Sequence, residues 1–137
     1  LLVRGVCCLK PGISGLSENI EVRSIIGRFL EHSRIFYFQN AGDEEYYLSS
    51  ADWMTRNLHK RVELMFKVQD KVLKKRLKSI LDLYWEDNTK SWMLLPDGNY
   101  EKIKTTKKVK PVSAQQQMLN EILKFNKQNR LDFAARI

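Results

Sequence analysis

The sequence predicts an α/β domain of the α+β type, a layered fold with a mixed central sheet flanked by helices. Three observations lead to this fold class. Short runs rich in β-branched and aromatic residues are separated by Gly, Pro, Asn and Asp, which is typical of strands and turns. In other segments apolar residues recur every three or four positions, as on the buried face of a helix. The 137 residues, 43% of them hydrophobic, suffice for one sizeable core.

The first element is an apolar run over residues 1–9 that only Arg4 clearly interrupts. Such a run is typical of a buried central strand. Residues 11–17 are rich in Gly, Ser and Pro and predict a loop after it, and residues 19–26 predict a strand or a short helix. The chain starts without Met and without the layout of a signal peptide, which indicates a segment of a longer protein.

The middle of the chain predicts a hairpin. Residues 35–38, Ile-Phe-Tyr-Phe, have the composition of a strand, and residues 39–44 contain the Asn, Gly and Asp of a turn. Residues 45–48 then form the second arm. Residues 49–53 predict a loop or helix start, and residues 61–68 predict a further strand.

A helix is predicted after Asp70, which can cap its first turn. Its apolar residues follow the spacing of one helical face, and most of its cations lie off that face. The apolar positions are Leu73, Leu77, Ile80, Leu81 and Tyr84.

The last third predicts a second hairpin and a terminal helix. Residues 92–95 and 100–104 flank the turn Pro96-Asp97-Gly98-Asn99. Residues 102–110 contain five lysines and indicate an exposed strand end or a linker. Ser113 and Gln116 have the spacing of a capping box. The helix that follows has an apolar side made of Met118, Leu119, Ile122, Leu123 and Phe125.

Charge and cysteine content narrow the classes of function. The net charge of +8 indicates a polyanionic partner, namely nucleic acid, phosphorylated small molecules, polyphosphate or an anionic membrane. No apolar stretch reaches the roughly 18 residues of a membrane span.

Cys7 and Cys8 are neighbours, which disfavours a disulfide, and they are interpreted as reduced thiols of a core strand in a cytosolic protein. The chain has too few cysteines for a zinc site made of thiolates.

His32 and Arg34 are the strongest candidates for chemistry. Both lie just before the predicted strand, and residues two apart on an extended chain project to the same side. An imidazole can exchange a proton near neutral pH, and a guanidinium can bind phosphate oxygens through two N–H groups. The pair therefore predicts a phosphate site, whereas His59, flanked by cations, is interpreted as a surface residue.

Several arginines add to this prediction. Arg4 interrupts a predicted buried strand, and a buried charge is costly without a partner. Arg28, Arg56 and Arg61 have surface salt bridges as the alternative explanation.

Several blocks of the sequence, in order, closely resemble one known family. They are Val3-Arg4-Gly5, Leu9-Lys10-Pro11-Gly12, Gly15 to Ile20, Arg28 to Ile35, Ser50 to Met54, and Arg56-Asn57-Leu58. Together they resemble the C-terminal domain of polyphosphate kinase, the type whose catalytic domains are phospholipase-D-like. The resemblance extends at least from residue 1 to about residue 98. It implies a phospholipase-D-like catalytic domain over residues 1–110, followed by a C-terminal helix and tail over residues 111–137.

The resemblance implies an activity and its partners. The family transfers the terminal phosphate of ATP reversibly to polyphosphate, through a phosphorylated histidine and with Mg²⁺. In the four-domain enzyme the last two domains form the active site, and the phosphorylated histidine belongs to the preceding domain. The implied partners are ATP or ADP, polyphosphate and the preceding domains, in a homo-oligomer, with no specific nucleic acid. The implied location is the bacterial cytoplasm, with membrane association left open for the full enzyme.

The resemblance also assigns roles to residues. His32 matches a second active-site histidine that binds ATP and helps the transfer as a proton donor or charge stabiliser. Arg4 matches an arginine that contacts the ATP phosphates. His32-Ser33-Arg34 is a variant of the His-x-Lys pair of the phospholipase D superfamily, with Arg34 in place of the lysine. No metal ligand is assigned to this chain. Arg28, Arg56 and Arg61 are candidates for a polyphosphate channel, and the clusters at Lys74–Lys78 and Lys102–Lys110 are further candidates.

Two alternatives stay open at this point. One is half of a phospholipase-D-like nuclease or phosphodiesterase, which needs two His-x-Lys motifs brought together, and only one is visible. The other is a basic nucleic-acid-binding module without catalysis. Phe36, Tyr37 and Phe38 argue against it, because they are interpreted as core rather than as a stacking platform.

Overall fold

The computed structural model describes residues 1–105 and 109–134, with side chains to residue 128. The α+β class is confirmed, since the chain combines helices with antiparallel sheets. In order the elements are β1 (Arg23–Ile25), β2 (Ile35–Phe38), β3 (Glu45–Ser49), α1 (Thr55–Lys60), β4 (Met65–Val68), α2 (Lys71–Glu86), β5 (Ser91–Leu94), β6 (Tyr100–Lys102) and α3 (Ala114–Ala134).

The chain divides into two compact units. The central unit spans residues 32–82, and the flanking unit combines residues 1–31 with the chain from Leu83 onward. Each unit contains a three-stranded antiparallel sheet, β2-β3-β4 in the central unit and β1-β5-β6 in the flanking unit. The strands therefore form two antiparallel sheets rather than the single mixed sheet that the sequence predicted. A parallel bridge joins Leu2 to Arg23.

The central unit is built on the predicted hairpin. Its strands match the predicted residues to within one position for β2 and β3, and β4 is shorter than predicted. One face of the sheet carries Tyr46 and Val68, which are buried with Leu77 of α2. Three partly buried residues pack against this cluster, namely Ile35, Leu48 and Leu81.

The other face of that sheet corrects one prediction. Successive residues of a strand point to opposite faces, so Phe36 and Phe38 lie on the face away from Tyr46. Phe38 is half exposed, and Phe36 stacks on Trp53 with ring centroids 5.8 Å apart. Tyr37 lies against Tyr46, with ring centroids 4.9 Å apart. None of the three aromatics is buried, so their interpretation as core was wrong, although Tyr37 lies on the face of the sheet that carries Tyr46.

The helix α2 begins as predicted. The Asp70 carboxylate accepts hydrogen bonds from the N–H groups of Val72 and Leu73, at 2.8 and 2.9 Å. Of the predicted apolar stripe, Leu77 and Tyr84 are buried, whereas Leu73 is 56% exposed. The stripe is therefore buried along the later turns of the helix and exposed in its first turn.

The flanking unit is organised around Asp87, which is 1% exposed. Its Oδ1 accepts hydrogen bonds from the N–H groups of Thr89 and Lys90, at 3.0 and 2.7 Å. Its Oδ2 accepts one from the N–H of Ala114, the first residue of α3, at 2.8 Å. The Ser113–Gln116 pattern correctly marks the start of α3, but a carboxylate from another segment binds the first helical N–H group.

Gln115 forms the second polar centre of the flanking unit. Its amide donates to the Phe29 carbonyl and to Glu31, at 2.7 Å each, and its Oε1 accepts from the Phe29 N–H at 3.1 Å. Gly27 lies beside it, and a Cβ built on Gly27 would fall 2.1 Å from Oε1 of Gln115. One side chain that needs a glycine next to it therefore holds both the backbone of Phe29 and the carboxylate of Glu31.

The first residues contradict the predicted buried strand. Only Leu2 forms a β-bridge in residues 1–9, and Val6 is 93% exposed. Cys7 and Cys8 are free thiols, but they do not belong to a core strand, and Cys8 is exposed. An apolar composition favours burial of this segment, but it does not specify a neighbouring strand that pairs along its whole length. Residues 11–17 form turns, as predicted.

Candidate functional site

His32 and Arg34 lie in contact at the start of β2. The Arg34 guanidinium places Nη1 3.2 Å from Nδ1 of His32 and Nη2 2.9 Å from Nε2. Nη1 also donates to the backbone carbonyl of His32 at 3.3 Å. Arginine nitrogens only donate, and a neutral imidazole has one ring nitrogen that can accept. The guanidinium therefore presents two N–H groups to a ring that can take one of them.

The local backbone explains why the two side chains meet. The N–H of Ser49 donates to the carbonyl of Arg34 at 3.1 Å, which continues the β2–β3 pairing to Arg34. With the chain extended there, side chains two residues apart project to the same side. The structure brings together the two residues that the sequence proposed for phosphate binding. The His32 side chain is at the surface and not in the apolar interior.

Asp52 is the third member of this cluster, and sequence reasoning missed it. Its Oδ1 accepts a hydrogen bond from Nε of Arg34 at 2.8 Å. The Arg34 side chain is 17% exposed and that of Asp52 is 44% exposed, so the ion pair is partly shielded from water. The bond to Arg34 lowers the pKa of the Asp52 carboxyl below its usual value. The same bond raises the pKa of Arg34, which keeps the guanidinium charged.

The segment that carries Asp52 is fixed on both sides. Before it, the N–H of Ser50 donates to the carbonyl of Leu64 at 2.9 Å, and the Ser50 hydroxyl hydrogen-bonds to Glu63. After it, Asn57 of α1 gives the Asp52 carboxylate a hydrogen bond that also lowers its pKa. Asn57 is 3% exposed, and its Oδ1 has no hydrogen-bond partner in the part of the chain that the structure describes.

The other predicted arginines lie on exposed positions. Arg4 follows the bridge at Leu2 and is exposed, so it does not bear the burial cost that first drew attention to it. Arg28 is exposed, with its guanidinium 5.4 Å from the ring centre of Phe29. Arg56 lies in α1, and Arg61 directly follows that helix. Arg4 and Arg28 belong to the flanking unit, whereas Arg56 and Arg61 belong to the central unit with His32.

Two further features bear on ligands. A shallow depression at the β2–β3 turn is lined by Tyr37, Phe38, Gln39, Asn40, Glu45, Tyr47 and Met65. Its lining contains one carboxylate and no cation, which does not suit a phosphate group. Within residues 1–105 and 109–134, no three His, Cys, Asp or Glu side chains come together as a metal-binding cluster.

Comparison with known proteins identifies the family. The family model described as "Polyphosphate kinase C-terminal domain 2" matches residues 1–115. This chain belongs to that family. A polyphosphate kinase of Pseudomonas aeruginosa is 56% identical over 122 residues, which cover 89% of this chain and 18% of the relative. One of Rhodopirellula baltica is 50% identical over 127 residues, covering 93% of this chain and 15% of the relative.

A solved structure supports the same assignment. The crystal structure of polyphosphate kinase from Porphyromonas gingivalis superposes with a TM-score of 0.84 at 37% identity, covering 93% of this chain and 19% of that one. The polyphosphate kinase domain described here thus spans less than a fifth of the length of these relatives. Among its described residues no helix is both long and apolar enough to cross a membrane.

Asp52 and Asn57 both fall inside blocks that carried the family resemblance. A carboxylate within such a block is a signal that could have marked Asp52. The contact of Asp52 with Arg34 could not be predicted in the same way, because Arg34 lies 18 residues earlier in the chain.

Proposed function

We propose that this domain supplies part of the active site of a polyphosphate kinase, which transfers the terminal phosphate of ATP reversibly to polyphosphate. The observation that carries the proposal is the contact of His32 and Arg34 at the surface of the central unit. The two Nη groups of Arg34 have the spacing and charge to bind two oxygens of one phosphate. The imidazole beside them can exchange a proton with a bound phosphate or stabilise its charge.

The chemistry needs little more from these residues. Phosphoryl transfer depends mainly on positioning and on neutralising charge on the phosphoryl oxygens. We propose that a histidine from a preceding domain is the nucleophile, which attacks the terminal phosphorus of ATP, forms the phosphoramidate and releases ADP. The phosphoryl group then passes from this histidine to the end of polyphosphate. His32 and Arg34 then act on the phosphate from this side, Arg34 by donating hydrogen bonds and His32 as proton donor or charge stabiliser. Arg4 is proposed to contact the ATP phosphates.

The basic composition fits a polyanionic substrate. A net charge of +8 attracts polyphosphate, and the exposed Arg28, Arg56 and Arg61 are proposed to line its path. Mg²⁺ is proposed to act in the whole enzyme through ligands outside this chain. The enzyme is further proposed to be a homo-oligomer of the bacterial cytoplasm, with residues 1–110 as catalytic domain and residues 111–137 as terminal helix and tail.

The test uses the protein at its natural length with His32→Ala, Arg34→Ala and Arg4→Ala. Removing one preorganised donor to a reacting oxyanion typically lowers kcat by about 10²–10³-fold, and we expect that range for His32→Ala and Arg34→Ala in ATP-dependent polyphosphate synthesis. Arg4→Ala is expected mainly to raise KM for ATP. His59→Ala is the matched control, because His59 is an exposed histidine of α1 in the same unit, and we expect unchanged activity.

Binding assays separate this function from the alternative of a nucleic-acid module. The protein is titrated with a non-hydrolysable ATP analogue, long-chain polyphosphate and single-stranded DNA at fixed salt. The proposal expects His32→Ala or Arg34→Ala to weaken binding of the ATP analogue or of polyphosphate. Full activity in both variants, with strong DNA binding and a steep salt dependence, contradicts the proposal and favours the nucleic-acid module.

A further inference from the structure

We propose that Asp52 is a positioning residue that holds the Arg34 guanidinium against His32. This inference rests on the proposed role of His32 and Arg34 in binding phosphate. The family resemblance assigned no role to Asp52, and the inference comes from the contacts in the central unit.

Different nitrogens of the Arg34 guanidinium contact Asp52 and His32. Nε donates to Asp52 at 2.8 Å, whereas Nη1 and Nη2 face the imidazole at 3.2 and 2.9 Å. An arginine side chain has considerable rotamer freedom, and its planar fork is useful only when its orientation is fixed. Asp52 binds Nε, the nitrogen nearest the aliphatic part of the Arg34 side chain. It therefore fixes the plane of the guanidinium and leaves the terminal Nη1 and Nη2 groups directed at His32.

Asp52 is itself well placed for this task. The N–H of Met54 donates to its backbone carbonyl at 2.7 Å, which tightens the turn into α1. The N–H groups of Asn57 and Leu58 in α1 then donate to the carbonyl of Met54, at 2.9 and 3.0 Å. The start of α1 therefore fixes the backbone that carries Asp52, and Asp52 and Arg34 connect it to the imidazole of His32.

The charge of Asp52 leads to a specific kinetic expectation. A carboxylate next to Arg34 offsets part of the positive charge that attracts a phosphate, so Asp52 does not strengthen ground-state binding. Its benefit is orientation, which counts in the transition state. Loss of Asp52 should therefore lower kcat and leave KM for ATP unchanged or slightly lower. A residue that only stabilises the fold would not produce this split.

The experiment measures polyphosphate synthesis by the natural-length protein carrying Asp52→Ala, Asp52→Asn, Arg34→Ala and the double substitution. Outer contacts that orient a functional group are typically worth about 10–100-fold, and we expect that loss of kcat for Asp52→Ala. Asp52→Asn retains an oxygen that can accept from Nε, so it should recover part of the loss. In the Arg34→Ala background, Asp52→Ala should have no further effect, because the group that it positions is gone.

Asp82→Asn is the matched control. It removes a carboxylate of the central unit that forms an ion pair with Lys78 on α2, and it should leave kcat and KM unchanged. Circular dichroism and thermal unfolding establish that each variant is folded. Where Asp52→Ala fails to fold, Asp52→Asn and its double substitution with Arg34→Ala decide the question.

Three results overturn the inference: wild-type kcat in the Asp52 variants, a loss in kcat that adds fully to that of Arg34→Ala, or a rise in KM at constant kcat. If His32→Ala and Arg34→Ala themselves leave activity intact, the proposed function fails as well. If those two substitutions abolish activity and the Asp52 variants do not, only the positioning role is wrong.

Discussion

Two aspartates of this domain have opposite environments, and the contrast separates a structural carboxylate from one suited to a functional site. Asp87 in the flanking unit is 1% exposed, and its two oxygens accept three backbone N–H groups. Asp52 in the central unit has a side chain that is 44% exposed, and it holds another side chain, that of Arg34. A carboxylate whose partners are all backbone donors fixes the fold. A carboxylate that orients a partly exposed guanidinium leaves that group able to meet a ligand.

The largest effect expected from this contrast is on stability, at Asp87. Asp87→Ala leaves three N–H donors without their partner, one in a buried bond and two in part-buried bonds. An unsatisfied buried donor costs about 1–3 kcal/mol, so we expect a loss of roughly 3 kcal/mol in local stability. Hydrogen–deuterium exchange of the natural-length protein should show faster exchange at Thr89, Lys90 and Ala114. Asp97→Ala, in an exposed turn, is the control and should change exchange only locally. Unchanged protection in Asp87→Ala would show that water replaces the carboxylate at little cost.

The next largest effect is expected at Gln115, the second buried polar centre of the flanking unit. Gly27→Ala places a Cβ where Oε1 of Gln115 lies, so the amide must leave its three hydrogen bonds. We expect a loss of about 1–3 kcal/mol, the usual cost of unsatisfied buried groups. Gln115→Ala should cost a similar amount, and Gly27→Ala should add little to it. Additive losses in this cycle would contradict the steric explanation, and Gln116→Ala, at an exposed site on the same helix, is the control.

A smaller effect is expected from the pH dependence of Asp52. Arg34 lowers the pKa of this carboxyl in the folded state from its ordinary value of 3.8. A carboxyl with a lowered folded-state pKa stabilises the protein above the unfolded-state value and loses that contribution as the pH falls through the folded-state value. Asp52→Asn should thus reduce stability at neutral pH by a fraction of the Asp87 effect and converge with the wild type below the lowered pKa. Denaturant midpoints between pH 2 and 7 test this, and a constant difference would exclude ionisation as the cause.

The smallest effect is expected at Trp53, next to Asp52. Its side chain is 80% exposed and stacks on Phe36. Aromatic pairs contribute about 0.5–1.5 kcal/mol beyond burial, and we expect the lower end for Trp53→Ala because the pair is exposed. Denaturant unfolding measures this loss, with Trp53→Phe as the control that retains a stacked ring. A loss as large as that of Asp87→Ala would show that the exposed side of the central unit is structurally as important as the buried centre.

Local patterns predicted the hairpin, the start of α2 and the approach of His32 to Arg34. Each depends on residues within a few positions of one another, such as the two-residue period that aligns His32 with Arg34. The sequence did not predict contacts between distant residues. The Asp87 bond to Ala114 spans 27 positions, and the Arg34 bond to Asp52 spans 18. The prediction of a buried strand over residues 1–9 was wrong for a related reason, because an apolar run favours burial but does not specify which strand lies beside it.

The close approach of Gly27 to Gln115 limits how this domain can change over evolutionary time. Any other residue at position 27 places a Cβ where the amide of Gln115 lies. Replacing the glutamine alone or the glycine alone removes the same hydrogen bonds, so either order of substitution passes through a destabilised intermediate. The two positions, 88 residues apart in the printed sequence, should therefore change together.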